Sequence, residues 1–501
     1  MTNTALDYDP GGIVRHNLSL AVLLVAACGV LLAPTGSAGL LGTFTEQVSP
    51  EGETNATEPS VAVDRSDGTV YVAWQASGTH VARSDDGGRS FVQTPIVDVF
   101  GNDVGDVDVR VGGPTPCATT TTSCLPGTHR VYVTSLERLP LLLQTHLAYS
   151  DDRGAHWTIN EVAAVNPSFI DRPWLAVYPS RVSANQDSVY ISYHDFSASQ
   201  NWVASSHDGG QTFRQSNVFA NDPTAEVQSF CNTIPSDIEV DPQTGEVYVQ
   251  WITADPVANT TGGCNITQIE NFHQVWVAHS ANGGLTWDAH QVFDGGSTTN
   301  TDEIFATLGV DDSGMAGVGG NVYSVFPDNL RAANVFDIWF SHSSDKAQTW
   351  STPVRVNSDK GTHYFPWIAA GSTGRVDFIW LNSPDFTPTD AEESPWYVTF
   401  AQTTNGTAAT PRFNQTSASS SIMHAGGICT NGIFCSLNDG NRDLADSISI
   451  AIDKGGSAAL AWTDQGKMLH GPTHITYGCN TSQQTADVRA KAGDSCKGPA
   501  T

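Results

Sequence analysis

The chain has 501 residues, a mass of 53.3 kDa and a formal charge of −29, from 52 acidic and 23 basic residues. Hydrophobic residues make up 39% of the sequence, which is enough for a large core and excludes a disordered or collagen-like chain. The acidic balance predicts no nucleic-acid partner and no binding to anionic membrane surfaces, because both ligands are negatively charged.

The N-terminal segment carries an apolar run from Leu18 to Ala33, preceded by basic residues and followed by small residues up to Ala38. These 16 residues would rise about 24 Å as a helix, less than the hydrocarbon core of a bilayer. The pattern predicts a signal peptide over residues 1–38, with an uncleaved membrane anchor as the alternative. A lipoprotein box ending at Cys28 is disfavoured, because apolar residues follow it.

Export would place the remaining domain, residues 39–501, in the extracellular space or at the cell surface, where disulfides persist. Eight cysteines remain there, and their clustering favours pairs between neighbours: Cys117–Cys124, Cys231–Cys264, Cys429–Cys435 and Cys479–Cys496. Six glycosylation sequons, whose use depends on the host, begin at Asn55, Asn259, Asn265, Asn405, Asn414 and Asn480.

A short unit recurs along this domain, beginning at Ser84, Ser150, Ser206 and Ser280, with a weaker copy at Ser343. Its template is Ser-x-Asp-x-Gly-x-Thr-Trp, which predicts a hairpin turn. The aspartate can accept hydrogen bonds from N–H groups of the turn, and the glycine supplies positive φ. The closing Trp or Phe is expected to pack over the corner.

These units are similar to Asp-boxes, and with them the chain resembles the sialidase-type (BNR/Asp-box) β-propeller superfamily. The resemblance implies an all-β fold: a single β-propeller of four-stranded blades with Asp-box hairpin turns at its periphery. It does not imply an activity, because the box is a folding device, and we expect no catalytic role for its aspartates.

Strand-like segments return in the same order around each turn, three before it and one after it. Seven such units can be counted, which favours seven blades, with six as the alternative. The last unit, which begins near Ser447, runs out of chain after His474–Tyr477 and lacks a fourth strand. We therefore predict that Gly42–Val48 closes the ring as the outer strand of the last blade.

The first strand of an antiparallel blade begins where the second ends, so both positions should face one end of the central channel, here called the mouth. Polar, aromatic and titratable residues at these positions would converge on a ligand. They are Glu58, Glu137, Asp171, Arg172, Trp174, His194, Asp195, Asp237, Asp328, Arg331, Tyr364, Trp367, Arg442, Asp446 and Asp464.

Resembling sialidases clamp the substrate carboxylate with three arginines and use an acid/base Asp and a Tyr nucleophile. The resemblance suggests Arg172, Arg331 and Arg442 as the clamp, Tyr364 as the nucleophile and Asp195 as the acid/base. The Asp-Arg-Pro-Trp sequence around Arg172 is nearest to the family's Arg-Ile-Pro motif but lacks the Ile. The alternative is structural, with Arg172 paired to the aspartate before it.

The segment Asp98–Asp108 holds four aspartates that could bind Ca²⁺ through hard oxygen ligands. Its spacing does not fit an EF-hand, and a solvated acidic loop is the alternative. No other cofactor is expected to be required.

Two functions remain open from the sequence. One is an exported exo-glycosidase acting on sialic-acid or other glycans, and the other is a non-catalytic propeller that binds glycans or proteins. Both predict a monomer with a glycan or glycoprotein ligand and membrane contact only through the N-terminal segment. The acidic charge of the chain opposes an anionic substrate at long range.

Overall fold

The computed structural model describes residues 43–97, 103–139, 142–161, 163–164, 170–195, 200–229, 233–255, 272–301, 305–314, 318–333, 335–384, 394–430, 435, 441–453, 455–468 and 470–480. In these ranges there are 29 β-strands, one α-helix, α1 (Pro223–Ser229), and one 3₁₀ turn (Ala184–Gln186). Within the same ranges, no helix is both long and apolar enough to cross a bilayer. The expected export segment lies outside the described residues.

The strands form antiparallel four-stranded blades in chain order, each running from an inner to an outer strand. The first blade contains β2 (Thr57–Val63), β3 (Val70–Ala76), β4 (Gly78–Ser84) and β5 (Val92–Gln93). The second contains β6 (Asp103–Pro114), β7 (His129–Leu139), β8 (Leu142–Ser150) and β9 (Thr158–Asn160). The third contains β10 (Ile170–Tyr178), β11 (Ser188–Asp195), β12 (Gln200–Ser206) and β13 (Arg214–Asn217). The fourth contains β14 (Thr233–Val240), β15 (Val247–Thr253), β16 (Gln274–Ser280) and β17 (Asp288–Asp294).

The remaining blades follow the same plan. The fifth contains β18 (Thr307–Val310), β19 (Val322–Ala332), β20 (Val335–Ser343) and β21 (Val354–Arg355). The sixth contains β22 (Thr362–Ala370), β23 (Val376–Ser383), β24 (Pro395–Thr403) and β25 (Asn414–Ser417), and β26 (His424–Ala425) also pairs with β24. The seventh contains β27 (Ser449–Ile452), β28 (Ala458–Asp464) and β29 (His474–Asn480).

The seventh blade takes its outer strand from the start of the described chain. Strand β1 (Thr43–Gln47) pairs antiparallel with β29, so that Phe44 lies opposite Cys479. Both the seven-bladed propeller and the closure of the ring by this segment are therefore confirmed.

Consecutive inner strands touch all round the ring, and β27 touches β2 to complete it. Side chains of the inner strands make hydrogen bonds to the next blade. The Ser60 hydroxyl donates to Asp108 Oδ1 at 2.7 Å, and Asp108 Oδ2 accepts the N–H of Leu175 at 2.9 Å. Asp237 Oδ2 accepts the N–H of Leu308 at 2.9 Å in the same way. The carboxylates of the inner strands thus hold neighbouring blades together.

The repeated turn has the hydrogen bonds expected from its sequence. In the first copy the Ser84 hydroxyl donates to Asp86 Oδ1 at 2.7 Å, and that oxygen also accepts the N–H of Ser90 at 3.0 Å. The same Ser-to-Asp or Ser-to-Asn bond recurs in the copies that begin at Ser150, Ser206, Ser280 and Ser343. Gly88 has φ of +91°, and a Cβ there would lie 2.0 Å from the Tyr477 ring of the seventh blade. The turn therefore packs against the neighbouring blade.

A sixth copy of the turn, which the sequence analysis missed, follows β24 in the sixth blade. The Thr403 hydroxyl donates to Asn405 Oδ1 at 3.1 Å and accepts the N–H of Asn405 at 3.3 Å. Thr and Asn stand where the template has Ser and Asp, and no Trp closes this turn. The hydrogen bonds between the first and third residues of the turn are therefore kept, although the residue types differ from the template.

Two of the expected disulfides, Cys117–Cys124 and Cys429–Cys435, are present. Cys479 is also disulfide-bonded, while its expected partner Cys496 lies outside the described residues. The expected Cys231–Cys264 pair lies outside them as well.

Candidate functional site

Five inner strands carry at least one extra residue near the mouth. On β2, for example, Thr57 pairs with Gln75 and Ser60 with Ala73. Three residue steps along β2 therefore lie opposite only two along β3. Equivalent register shifts occur in β6, β10, β14 and β22. Such β-bulges re-aim a side chain and are common next to active sites.

The backbone is strained at four of these bulges. The residues with positive φ are Glu58 at +53°, Asp106 at +51°, Arg172 at +57° and Phe365 at +56°. A non-glycine residue in this region costs about 1–3 kcal/mol, and such residues cluster at functional sites. Because the four lie at the same level of neighbouring or facing inner strands, the mouth is the candidate site.

Six charged residues come together there and are called the mouth cluster: Glu58, Asp106, Asp171, Arg172, Arg442 and Asp446. They come from the first, second, third and seventh blades, with Arg442 and Asp446 in the segment before β27. Carboxyl oxygens of Glu58, Asp106 and Asp446 all lie within 4.8 Å of one another. Only 6%, 7% and 3% of these three residues, respectively, is exposed.

Backbone N–H groups of successive blades fix the carboxyl groups. The N–H of Asp106 donates to Glu58 Oε2 at 2.6 Å. The N–H of Arg172 then donates to Asp106 Oδ2 at 3.2 Å. Both donors are bulge residues, so the strained backbone places the carboxyl groups.

Two arginines converge on one carboxylate of the cluster. Arg442 makes a bidentate ion pair with Asp446 through two hydrogen bonds. Arg172 Nη1 lies 3.8 Å from Asp446 Oδ2, and its Nε lies 3.8 Å from Asp171 Oδ2. Nη1 of Arg172 is buried and has no hydrogen-bond partner among the described residues. This donor is therefore ion-paired with Asp446 without making a hydrogen bond.

Burial changes the protonation of the cluster. It raises the pKa of Glu58 from 4.5 to about 7; the charge of Asp446 adds to this effect, and Arg442 and Arg172 oppose it. Burial also raises the pKa of Asp106 well above its usual value, with Asp171 and Glu58 adding to the effect. A carboxyl group that titrates near neutral pH can both give and take a proton, which is the requirement for general acid/base chemistry.

An aromatic contact crosses the channel beside the cluster. The Trp174 ring meets Phe305 at 5.2 Å and Trp367 at 5.1 Å between ring centroids, both in edge-to-face geometry. Phe305 lies just before β18, so the three rings join the third, fifth and sixth blades. The Arg172 guanidinium lies 4.6 Å from the Phe305 ring centroid. The mouth cluster therefore lies against an aromatic surface, a combination common in ligand sites.

The structure brings two of the expected clamp arginines, Arg172 and Arg442, together on Asp446. The third, Arg331, lies near the end of β19, where its Nε donates to Asp337 Oδ2 at 2.6 Å. Tyr364 is buried at the start of β22, with its ring 4.9 Å from that of Trp396.

Asp195 is buried at the end of β11, next to His194. Burial, with a contribution from Arg172, lowers the pKa of His194 to about 3, so this imidazole is neutral at physiological pH. The catalytic roles suggested for Arg172, Arg331, Arg442, Tyr364 and Asp195 stay predictions.

Sequence reasoning assigned Asp106 to an acidic loop, and this was wrong for the part of the segment that the structure describes. Asp106 and Asp108 belong to strand β6 and are buried. The missed signal is their alternation with Val107 and Val109, which is typical of a strand. Asp98 and the side chain of Asp103 lie outside the described residues, so Ca²⁺ binding by Asp98–Asp108 stays a prediction.

The oxygens of Glu58, Asp106 and Asp446 are close enough to ligate one cation. However, both oxygens of Asp446 are bound to Arg442, and a second guanidinium lies 3.8 Å away. Positive charge is thus already supplied by the protein, which makes the cluster a poor cation site.

No family model matches the chain, and no curated protein matches it. Similar solved structures include a protein of unknown function from Dyadobacter fermentans, with TM-score 0.44 and 13% identity over 88% of this chain and 99% of that one. An α-L-arabinofuranosidase of Fusarium graminearum has TM-score 0.41 and 12% identity over 68% of this chain and 92% of its own. A Hadza microbial sialidase has TM-score 0.41 and 12% identity over 82% and 73%, respectively.

These likenesses say nothing about activity. The seven blades and the repeated turns of this chain bear out its resemblance to the sialidase-type β-propeller superfamily at the level of the fold.

Proposed function

We propose that this protein is an exported glycoside hydrolase that removes a terminal sugar from glycans at the mouth cluster. One observation carries the proposal: Glu58, whose pKa is raised to about 7, lies beside Asp446, whose two carboxyl oxygens accept hydrogen bonds from Arg442. Hydrolysis of a glycosidic bond needs one carboxyl group that delivers a proton and a second that remains charged.

Each residue of the pair has a role that follows from its surroundings. Glu58 protonates the glycosidic oxygen, and Asp446 attacks or stabilises the anomeric carbon as positive charge develops there. One carboxyl oxygen of each lies within 4.8 Å of the other, which suits the close carboxyl pair of retaining enzymes, about 5–5.5 Å apart, better than the wider pair of inverting enzymes. Arg172 donates to the sugar from Nη1, which makes no hydrogen bond among the described residues, and the N–H of Asp106 keeps Glu58 in place.

Mature protein assayed against a panel of 4-methylumbelliferyl glycosides, the α-sialoside included, tests the proposal. On any substrate that is cleaved, Glu58→Gln is expected to lower kcat/KM by about 10²-fold or more, because the proton donor is lost. Asp446→Asn should be at least as severe. Asp86→Asn, in a peripheral turn, is the matched control and should retain activity.

Two results would contradict the proposal: cleavage of no glycoside in the panel, or full activity in a folded Glu58→Gln variant. Cleavage of the sialoside that depends on Tyr364, Arg331 and Asp195 but not on Glu58 would favour the sialidase-type assignment instead.

A non-catalytic glycan-binding function is the second candidate, and the deep burial of the carboxyl groups favours it. Glu58, Asp106 and Asp446 are each less than a tenth exposed, so a sugar resting at the rim would not reach them. Binding of a sugar that is equal in the wild type and in Glu58→Gln, without hydrolysis, would identify this function.

A further inference from the structure

The charge of the mouth cluster limits which sugars it can accept. Four carboxyl groups (Glu58, Asp106, Asp171 and Asp446) face only two guanidinium groups, those of Arg172 and Arg442. Even with two of the carboxyl groups protonated, the cluster has no excess positive charge. A site that clamps an anionic ligand needs such an excess, because the ligand's charge must be neutralised in a poorly solvated pocket.

Both arginines are already occupied by carboxylates of the protein. Arg442 uses two of its donors on the two oxygens of Asp446. The guanidinium of Arg172 lies between Asp446 and Asp171, within 3.8 Å of each. A ligand carboxylate entering here would have to displace these partners, which would leave their buried charges unpaired.

One donor atom in the cluster is ion-paired but makes no hydrogen bond, and it indicates which group of a ligand could bind there. Arg172 is 8% exposed, and its Nη1 has no hydrogen-bond partner among the described residues while it points toward Asp446. A single donor without a hydrogen bond suits one hydroxyl or ether oxygen, whereas binding a carboxylate would call for a bidentate fork. The surrounding carboxyl groups offer acceptors to the hydroxyl hydrogens of the same ligand.

We propose that the mouth cluster accepts a neutral sugar and discriminates against sugars that carry a carboxylate, sialic acid included. This inference rests on the proposed function, since it names the substrate class of the same site. The selection comes from Asp171 and Asp446, which neutralise the two arginines that would otherwise attract an anion.

Matched monosaccharides test the inference without any turnover. Binding of glucose, galactose, glucuronate, galacturonate and N-acetylneuraminate to the mature chain is measured by isothermal titration calorimetry or saturation-transfer NMR. Each uronate differs from its hexose only by the carboxylate at C6. At least one neutral sugar is expected to bind at least about tenfold more tightly than its uronate.

Charge variants show whether the mouth cluster is responsible. Asp171→Asn removes one partner of Arg172 and should move the hexose-to-uronate preference toward the uronate by about tenfold or more. Asp86→Asn, outside the mouth, should leave the preference unchanged. Equal preference in Asp171→Asn and the wild type would place the selection elsewhere and overturn the assignment.

The outcomes separate the two proposals. Tight binding of a uronate or of N-acetylneuraminate, or no binding of any neutral sugar, overturns this inference. Binding of a neutral sugar without cleavage of any aryl glycoside removes the hydrolase proposal but supports the neutral-sugar site. Cleavage of the sialoside that requires Glu58 would support the hydrolase and overturn the inference.

Discussion

Replacing Glu58 by glutamine is expected to stabilise the folded chain at pH 8 and to change its stability little at pH 4. The buried carboxyl group has a pKa of about 7 in the folded chain, against 4.5 for an ordinary glutamate. The folded state therefore binds the proton more tightly than the unfolded state. Between pH 4.5 and 7 the wild type loses stability as the pH rises, because its unfolded form releases the proton first.

The size of the effect follows from the shift of the pKa. A shift from 4.5 to about 7, at 1.36 kcal/mol per unit, corresponds to about 3 kcal/mol above pH 7. Glutamine keeps an oxygen that accepts the N–H of Asp106 but carries no charge, so the variant escapes this penalty. For a domain of this size the entropy of unfolding is about 1 kcal/mol per kelvin, so the melting temperature should rise by about 3 °C.

Scanning calorimetry of both proteins at pH 4, 6 and 8 measures the difference. Glu46→Gln, at an exposed position of β1, is the matched control and should show no such pH-dependent gain. A stability difference between Glu58→Gln and the wild type that is the same at pH 4 and pH 8, or a less stable variant at pH 8, would refute the reasoning. A gain in stability together with a loss of activity is the trade-off expected of a catalytic group.

Gly88→Ala should destabilise the fold by more than about 2 kcal/mol, because its Cβ would lie 2.0 Å from the Tyr477 ring. Gly87 has similar positive φ but faces open space, so Gly87→Ala should lower the free energy of unfolding by about 1 kcal/mol. Urea unfolding measures both changes. Deleting residues 43–48 removes the hydrogen-bonded pairing of β1 with β29 and the buried Val48, so the melting temperature should fall by about 5 °C. An unchanged melting temperature would show that closure of the ring contributes nothing to stability. If a glycoside is cleaved, ¹H NMR should show a product with retained anomeric configuration, and inversion would exclude Asp446 as a nucleophile.

The fold was predictable because its signals are local. The turn at Ser84 needs only residues within one hairpin, and a short apolar run rich in β-branched and aromatic residues, such as Val70–Ala76, indicates a strand by itself. The turn at Thr403 was not predicted, because its hydrogen bonds tolerate Thr and Asn where the template has Ser and Asp, and no Trp closes it.

The site was predictable only in part, because its contacts join different blades. Arg172 and Arg442 were expected near the mouth from their positions beside inner strands, and they do meet. Their shared partner Asp446 could not be identified, since a sequence does not say which side chains face each other across the channel. The extra residue of each bulge also shifts the alternation of side chains between the two faces of the strand. The hydrogen bond between Glu58 and Asp106 could therefore not be predicted from the sequence.

Closure of the ring by β1 ties the progress of folding to the progress of synthesis. The N–H of Ile475 donates to the hydroxyl of Ser49 across 426 residues of sequence. Strand β1 therefore cannot pair until the last blade has been synthesised. At ribosomal rates of about 5–20 residues per second, this wait lasts roughly 20 to 90 s. During this time β1 is without a partner, and until it pairs with the newly made β29 a second copy of the chain can supply either strand with one. Concentrated refolding should therefore yield domain-swapped oligomers in which β1 is exchanged between copies.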